Sequence, residues 1–125
     1  MSGSRRFVLD TNAVVALLAG NRDLAHRLES AEYVGISIIS YLEFLVFEGL
    51  TDTDRNCFAR FCERVEIVPL LHDKALTGLT IDLRQEYRLK LPDAIIGATA
   101  LFKRATLLTN DTHFSTIDRL SIQAC

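Results

Sequence analysis

Short apolar runs alternate with helically spaced apolar positions along the whole chain. Phe7-Val8-Leu9 is too short for a helix and stops at Asp10, which predicts a buried strand. Residues from Asn12 to Ala19 read as a helix capped by Asp10 or Asn12. Leu24, Ala25, Leu28 and Ala31 keep helical spacing and predict a second helix over 21–31. Tyr33 to Ser37 predicts a second strand, and Ser40 to Leu50 a heavily apolar helix. Cys57, Phe58, Phe61, Cys62 and Val65 form one stripe of an amphipathic helix over 52–65. Glu66 to Leu70 is β-like and closes at Pro69. Leu76, Leu79, Leu83 and Tyr87 predict a helix over 72–89. Leu91-Pro92-Asp93 opens another helix, with Pro at its first position, that runs to Lys103 or Arg104. Ala105 to Thr109 predicts a strand, Asn110-Asp111 a turn, and Leu120 to Ala124 a weak last strand.

Strands separated by helices predict an α/β fold: a single three-layer α/β/α domain over 1–125 with a mainly parallel central sheet. Ligands of such sheets bind beyond the carboxyl ends of the strands. Asp10 and Asp111 each sit where a strand has just ended, so both fall on that edge.

Composition narrows the field. The 125 residues are 49% hydrophobic and 24% charged, with 6 Gly and 2 Pro, which excludes disordered and collagen-like chains. A chain this long buries enough surface to fold without disulfides or metal. Its 14 Lys and Arg against 16 Asp and Glu give a net charge of -2, so it does not coat nucleic acid by charge alone. Any nucleic-acid contact must use local arginines or bound cations. Cys57, Cys62 and Cys125 are odd in number and include no CxxC pair. They read as small hydrophobes of a reducing, cytoplasmic compartment, with Cys57 and Cys62 on a buried helix face. No signal peptide is expected, because Asp10 interrupts the apolar stretch after Arg5-Arg6. The apolar segment from Tyr33 to Phe47 is too short to span a bilayer and holds Glu43, so no membrane partner is expected.

Each of four acids has a plain structural reading. Asp10 is a natural helix cap. Glu43 has Ile39, Ser40, Val46 and Phe47 as its helical neighbours, so it is off the solvated stripe and reads as partly exposed with its aliphatic stem on the core, while Glu48 is the solvent-facing acid of the same helix. Asp93 suits the helix dipole at a first turn, yet Ile96, Gly97 and Ala100 around it suggest a sunken carboxylate. Asp111 suits a turn. Together they permit more. Like charges within ~4–6 Å raise each other's pKa unless a cation compensates. Hard oxygen ligands in this number suit Mg²⁺ or Mn²⁺ and not zinc. Such ions activate water and stabilise developing phosphate charge, which points to phosphodiester hydrolysis.

The motifs that carry these acids are Phe7-Val8-Leu9-Asp10-Thr11-Asn12, Ser40-Tyr41-Leu42-Glu43-Phe44, Leu91-Pro92-Asp93-Ala94-Ile95-Ile96-Gly97-Ala98-Thr99-Ala100 and Leu108-Thr109-Asn110-Asp111-Thr112-His113-Phe114. In this order the chain resembles the PIN-domain family, and within it the short VapC-type toxin ribonucleases. The resemblance covers nearly the whole sequence. It implies a PIN-like fold and a metal-dependent ribonuclease, with Asp10, Glu43, Asp93 and Asp111 holding Mg²⁺ or Mn²⁺ directly or through waters. It also implies supporting roles for Thr109 and Thr11, an RNA substrate, a homodimer, and inhibition by a cognate antitoxin. The family often has an acid just before the last phenylalanine, where this chain has His113. That departure leaves Asp111 as the acid of this turn near the metal, with Asp118 as a substitute. His113 is expected on the surface, with phosphate binding or proton donation as its other roles.

His26 and His72 are expected on the surface. Arg5, Arg6, Arg84, Arg88, Lys90, Lys103 and Arg104 are the basic groups to consider for RNA, and Arg84, Arg88 and Lys90 precede Asp93 closely. Phosphate contacts of this kind position RNA without reading its sequence. Two rival functions remain open at this point. A haloacid-dehalogenase-like phosphatase also begins with a strand ending in Asp, but it wants a second Asp where this chain has Asn12. A catalytically weak module that binds RNA or protein would use the same fold.

Overall fold

The computed structural model describes residues 5–71 and 74–125. Among them the elements run β1 (Arg6–Leu9), α1 (Thr11–Leu18), α2 (Arg22–Glu29), β2 (Tyr33–Ser37), α3 (Ile38–Leu45), α4 (Asp52–Cys62), β3 (Glu66–Val68), α5 (Lys74–Tyr87), α6 (Leu91–Phe102), β4 (Thr106–Leu108) and β5 (Ile122–Gln123). A short 3-10 turn covers Thr112–Phe114. His72, expected on the surface at the start of α5, lies outside the described residues.

The strands form one sheet in the order β3-β2-β1-β4-β5. Every pairing is parallel: Leu9 lies opposite Ile36 on one side and Leu108 on the other. The chain therefore builds outward from β1 to β3, then crosses back to place β4 beside β1. That reversal is where an open parallel sheet leaves a crevice beyond its strand ends.

Successive strand residues face opposite layers. Val8 and Leu107 pack with Leu83, Ala94, Ala98 and Phe114 on the side of α5 and α6. Phe7, Leu9 and Leu108 pack with Val14, Leu24, Phe44 and Phe58 on the side of α1, α2 and α4. Phe44 and Phe58 stack with their ring centroids 4.1 Å apart, which ties α3 to α4. These two layers and the sheet give the expected three-layer α/β/α architecture.

Local chemistry sets the helix starts. Asn21 and Ser37 each turn a side-chain oxygen onto a backbone N–H of the helix they precede, and Thr51 forms a capping box with Asp54. Some boundaries differ from the sequence expectation. α3 begins at Ile38, directly after its Ser37 cap, and stops at Leu45 rather than Leu50. Gly49, at φ +81, then turns the chain through a conformation that costs side-chain-bearing residues. Glu48 is solvent-facing as expected but sits in this turn, not on the helix. Pro92 is the second residue of α6 rather than the first, because Lys90 is the residue at the helix boundary. Cys57 and Cys62 are half-buried rather than fully inside, since Phe58 takes the core position of α4. No helix of the described residues is long and apolar enough to cross a membrane.

Candidate functional site

Four elements deliver one acid each to the carboxyl edge of the sheet. β1 ends at Asp10, α3 carries Glu43, α6 carries Asp93 in its first turn, and the loop after β4 carries Asp111. All four line a single cleft of about 270 Å³ together with Thr11, Asn12, Phe47, Ile96 and Phe114.

Asp10 is the most deeply set, at 5% exposure. It caps α1, as its plain reading expected: Oδ1 accepts the Ala13 N–H at 2.7 Å. Its Oδ2 accepts the Thr109 hydroxyl. Thr109 Oγ1 in turn accepts the Asp111 N–H at 2.9 Å, so one buried hydroxyl links the ends of β1 and β4. Asp111 Oδ1 accepts the His113 N–H at 2.8 Å and caps the 3-10 turn. Glu43 is expected to be partly exposed with its aliphatic stem on the core. It is exposed, because α3 turns it outward over the cleft, and its Oε1 accepts the Thr11 hydroxyl at 2.5 Å. Asp93 is half-buried, as the small residues around it suggested.

The electrostatics are those of crowded carboxylates. Burial pushes the Asp10 carboxyl above its ordinary value; the Thr109 and Ala13 hydrogen bonds pull it back, and Asp111 and Asp93 push it up again. Burial also raises Asp93, with Asp111 and Glu43 adding to the rise, while His113 and Lys90 oppose it. Asp10 and Asp93 thus feel neighbouring acids across the cleft. Ligand-capable atoms of Asp93, Asp111 and His113 lie within 4.8 Å of one another. The donor set fits a divalent cation: hard carboxylate oxygens whose mutual repulsion a bound charge would relieve.

The comparisons bear on this geometry. The PIN domain family model matches residues 7–120. This chain belongs to the PIN domain family. A search of curated proteins returned no match. Among solved structures, a toxin–antitoxin complex from Klebsiella pneumoniae is similar, with 31% identity, a TM-score of 0.74, and coverage of 90% of this chain and 93% of that one. VapBC2 from Rickettsia felis, solved on a DNA fragment from its promoter, has 23% identity and a TM-score of 0.79 over 94% of this chain and 97% of its own. DNA-bound VapBC from Salmonella typhimurium has 20% identity and a TM-score of 0.76 over 95% and 97%. The last two speak for the fold.

Within the PIN fold the basic residues divide. Arg5, Arg6, Lys103 and Arg104 gather at the opposite edge of the sheet. Arg5 holds the Ser30 carbonyl, Arg6 holds the Lys103 carbonyl, and Lys103 pairs with Glu66 at 3.0 Å. Tyr33 donates to the same Glu66 at 2.5 Å, so this cluster is a structural tie. Lys90 acts on Asp93 together with His113, and Arg84 and Arg88 are exposed. Asp118, the substitute acid, is exposed and acts on Tyr87 rather than on the cleft. His26 is exposed beside Glu29, at 3.7 Å. His113 is exposed as expected, yet its Nδ1 lies 3.0 Å from Asp111 Oδ1. Phe47, Ile96 and Phe114 form the apolar wall of the cleft and had no chemical signal in the sequence.

Proposed function

We propose that this PIN-domain protein is a divalent-metal-dependent ribonuclease and the toxin of a toxin–antitoxin pair. The observation that carries the reading is the convergence of Asp10, Glu43, Asp93 and Asp111, from four separate elements, on one cleft at the reversal point of the sheet. The similar Klebsiella pneumoniae structure, a toxin–antitoxin complex, supports a cognate antitoxin as partner. The cytoplasm is the compartment this reading implies.

The four acids would hold Mg²⁺ or Mn²⁺, directly or through waters, and such an ion supplies water activation and offsets phosphate charge. The chain's own residues prepare that centre. Thr109 and the Ala13 N–H fix both oxygens of Asp10, so its carboxylate keeps one orientation. Thr11 orients the otherwise exposed Glu43. Lys90, at the boundary of α6, acts on Asp93 as a positive charge suited to an incoming RNA phosphate. A haloacid-dehalogenase-like role fits poorly, because that chemistry needs a second acid two residues after the first and this chain has Asn12 there. Leu42 in α3, Val46 and Phe47 just after it, and Leu91 at the start of α6 are exposed apolar groups near Glu43 and Asp93 in the chain. They support a homodimer or antitoxin contact beside the cleft.

The test is cleavage of mixed RNA with Mg²⁺, with Mn²⁺ and with chelator, beside Asp93→Asn. Cutting that needs metal and falls at least about 100-fold in the variant is expected. Equal cutting by both proteins, or cutting in chelator, would overturn the reading.

A further inference from the structure

We infer that His113 is a nitrogen ligand of the acidic centre and biases it toward Mn²⁺ over Mg²⁺. This rests on the metal-centre reading above and adds a residue and a selectivity to it.

The geometry is local and fixed. The 3-10 turn Thr112–Phe114 is capped by Asp111, whose Oδ1 takes the His113 N–H at 2.8 Å. The same oxygen lies 3.0 Å from His113 Nδ1. Phe114, the next residue, is 1% exposed and anchors the turn in the core. His113 is therefore held beside Asp111 by its backbone, although its side chain is 73% exposed. Two ligands on opposite sides of one ion at ~2.1 Å stand ~4.2 Å apart. The ligand atoms of Asp93, Asp111 and His113 fall within 4.8 Å of one another, so a sub-ångström adjustment brings all three onto one ion.

A simple surface ion pair between His113 and Asp111 is the competing account, and such pairs stabilise little. That account concerns Asp111 alone, whereas a ligand atom of Asp93, 20 positions away on a different element, also lies within 4.8 Å of His113. The chemical consequence of ligation is selectivity. Mg²⁺ dehydrates reluctantly and keeps oxygen ligands, whereas first-row transition ions accept imidazole. An all-carboxylate site lacks that imidazole contribution.

The experiment is Mn²⁺ bound to the whole chain, read by pulsed electron paramagnetic resonance for nitrogen coupling, with Mn²⁺ and Mg²⁺ affinities by calorimetry. Parent, His113→Ala, His113→Gln and Asp93→Asn proteins are compared, each checked for folding by circular dichroism. The parent is expected to show nitrogen coupling that both His113 variants lose. Their Mn²⁺ affinity is expected to fall about tenfold, with Mg²⁺ affinity nearly unchanged. Mn²⁺ binding without nitrogen coupling, or an unchanged Mn²⁺ to Mg²⁺ ratio in the His113 variants, overturns the inference and leaves the metal centre standing. No Mn²⁺ binding to the parent overturns both.

Discussion

Thr109 donates its hydroxyl hydrogen to Asp10 across 99 residues of sequence, inside the buried end of the sheet. The same oxygen accepts the Asp111 N–H at 2.9 Å. One side chain therefore sets the distance between the acids that end β1 and β4. It also stabilises the charged form of an Asp10 that burial disfavours.

Thr109→Val keeps the shape and removes both bonds. A loss of about 1–3 kcal/mol in folding stability is expected, because a buried carboxylate oxygen and an N–H are left without partners. Urea unfolding measures it. Metal affinity should fall as well, because the Asp10 carboxyl moves further up. Thr109→Ser should restore most of both, and a Ser variant as poor as Val would refute the hydrogen-bond account.

Glu43 is exposed and takes the Thr11 hydroxyl at 2.5 Å. Thr11→Val should cost less than about 0.5 kcal/mol in stability, since the bond lies at the surface. Metal affinity or cleavage should nevertheless fall about tenfold, as for other partners that orient a ligand. A large melting change with unchanged metal affinity would mean that Thr11 only supports α1.

The raised carboxyls make stability depend on pH. Asp10 and Asp93 both hold protons in the folded state at pH values where the unfolded chain has lost them. Folding is thus favoured on the acid side of this window. The benefit is lost as pH rises from the ordinary value of 3.8 through the raised folded values. A divalent cation compensates the same charges. The gain in melting temperature on adding Mn²⁺ should therefore grow with pH across that window and level off above it. In metal-free buffer, Asp93→Asn should melt no lower than the parent at neutral pH. A markedly lower melting temperature would contradict the repulsion.

Two helix ends share one geometry but not one residue. After α1, Gly20 has φ +102, and its N–H and that of Asn21 bond the Leu17 and Ala16 carbonyls at 3.1 Å. After α6, Arg104 takes the equivalent place at φ +53, with Ala105 bonding Ala100 at 2.9 Å. Glycine adopts this conformation without strain and arginine does not. Arg104→Gly should stabilise the chain by about 1 kcal/mol, and Gly20→Ala should cost a similar amount. Nothing lies within 4 Å of a β-carbon at Gly20, so the latter reports backbone strain alone. Chemical denaturation of both variants is the check.

The order of elements was legible because each strand is a short apolar run and each helix carries a periodic stripe. Tyr33–Ser37 was readable to the residue, since Ser37 both ends the strand and caps the next helix. The end of α3 was not, because Val46 and Phe47 continue the apolar pattern although the backbone has left the helix, and Gly49 alone hints at the break. The acids themselves were visible in their motifs. Their exposure was legible only in part: Glu43 reads as partly exposed from its apolar helical neighbours, and α3 presents it exposed over the cleft.

Sequence by itself determined the α/β class, the strand ends at Asp10 and Asp111, and the residue types able to hold a hard cation. Those properties are local, set by periodicity, capping and side-chain chemistry. Only the tertiary structure decided that β4 lies beside β1, that Thr109 joins their acids, and that His113 falls within reach of Asp93. Each of these depends on contacts between residues far apart in the chain, and no local pattern encodes the distance that the folded sheet imposes.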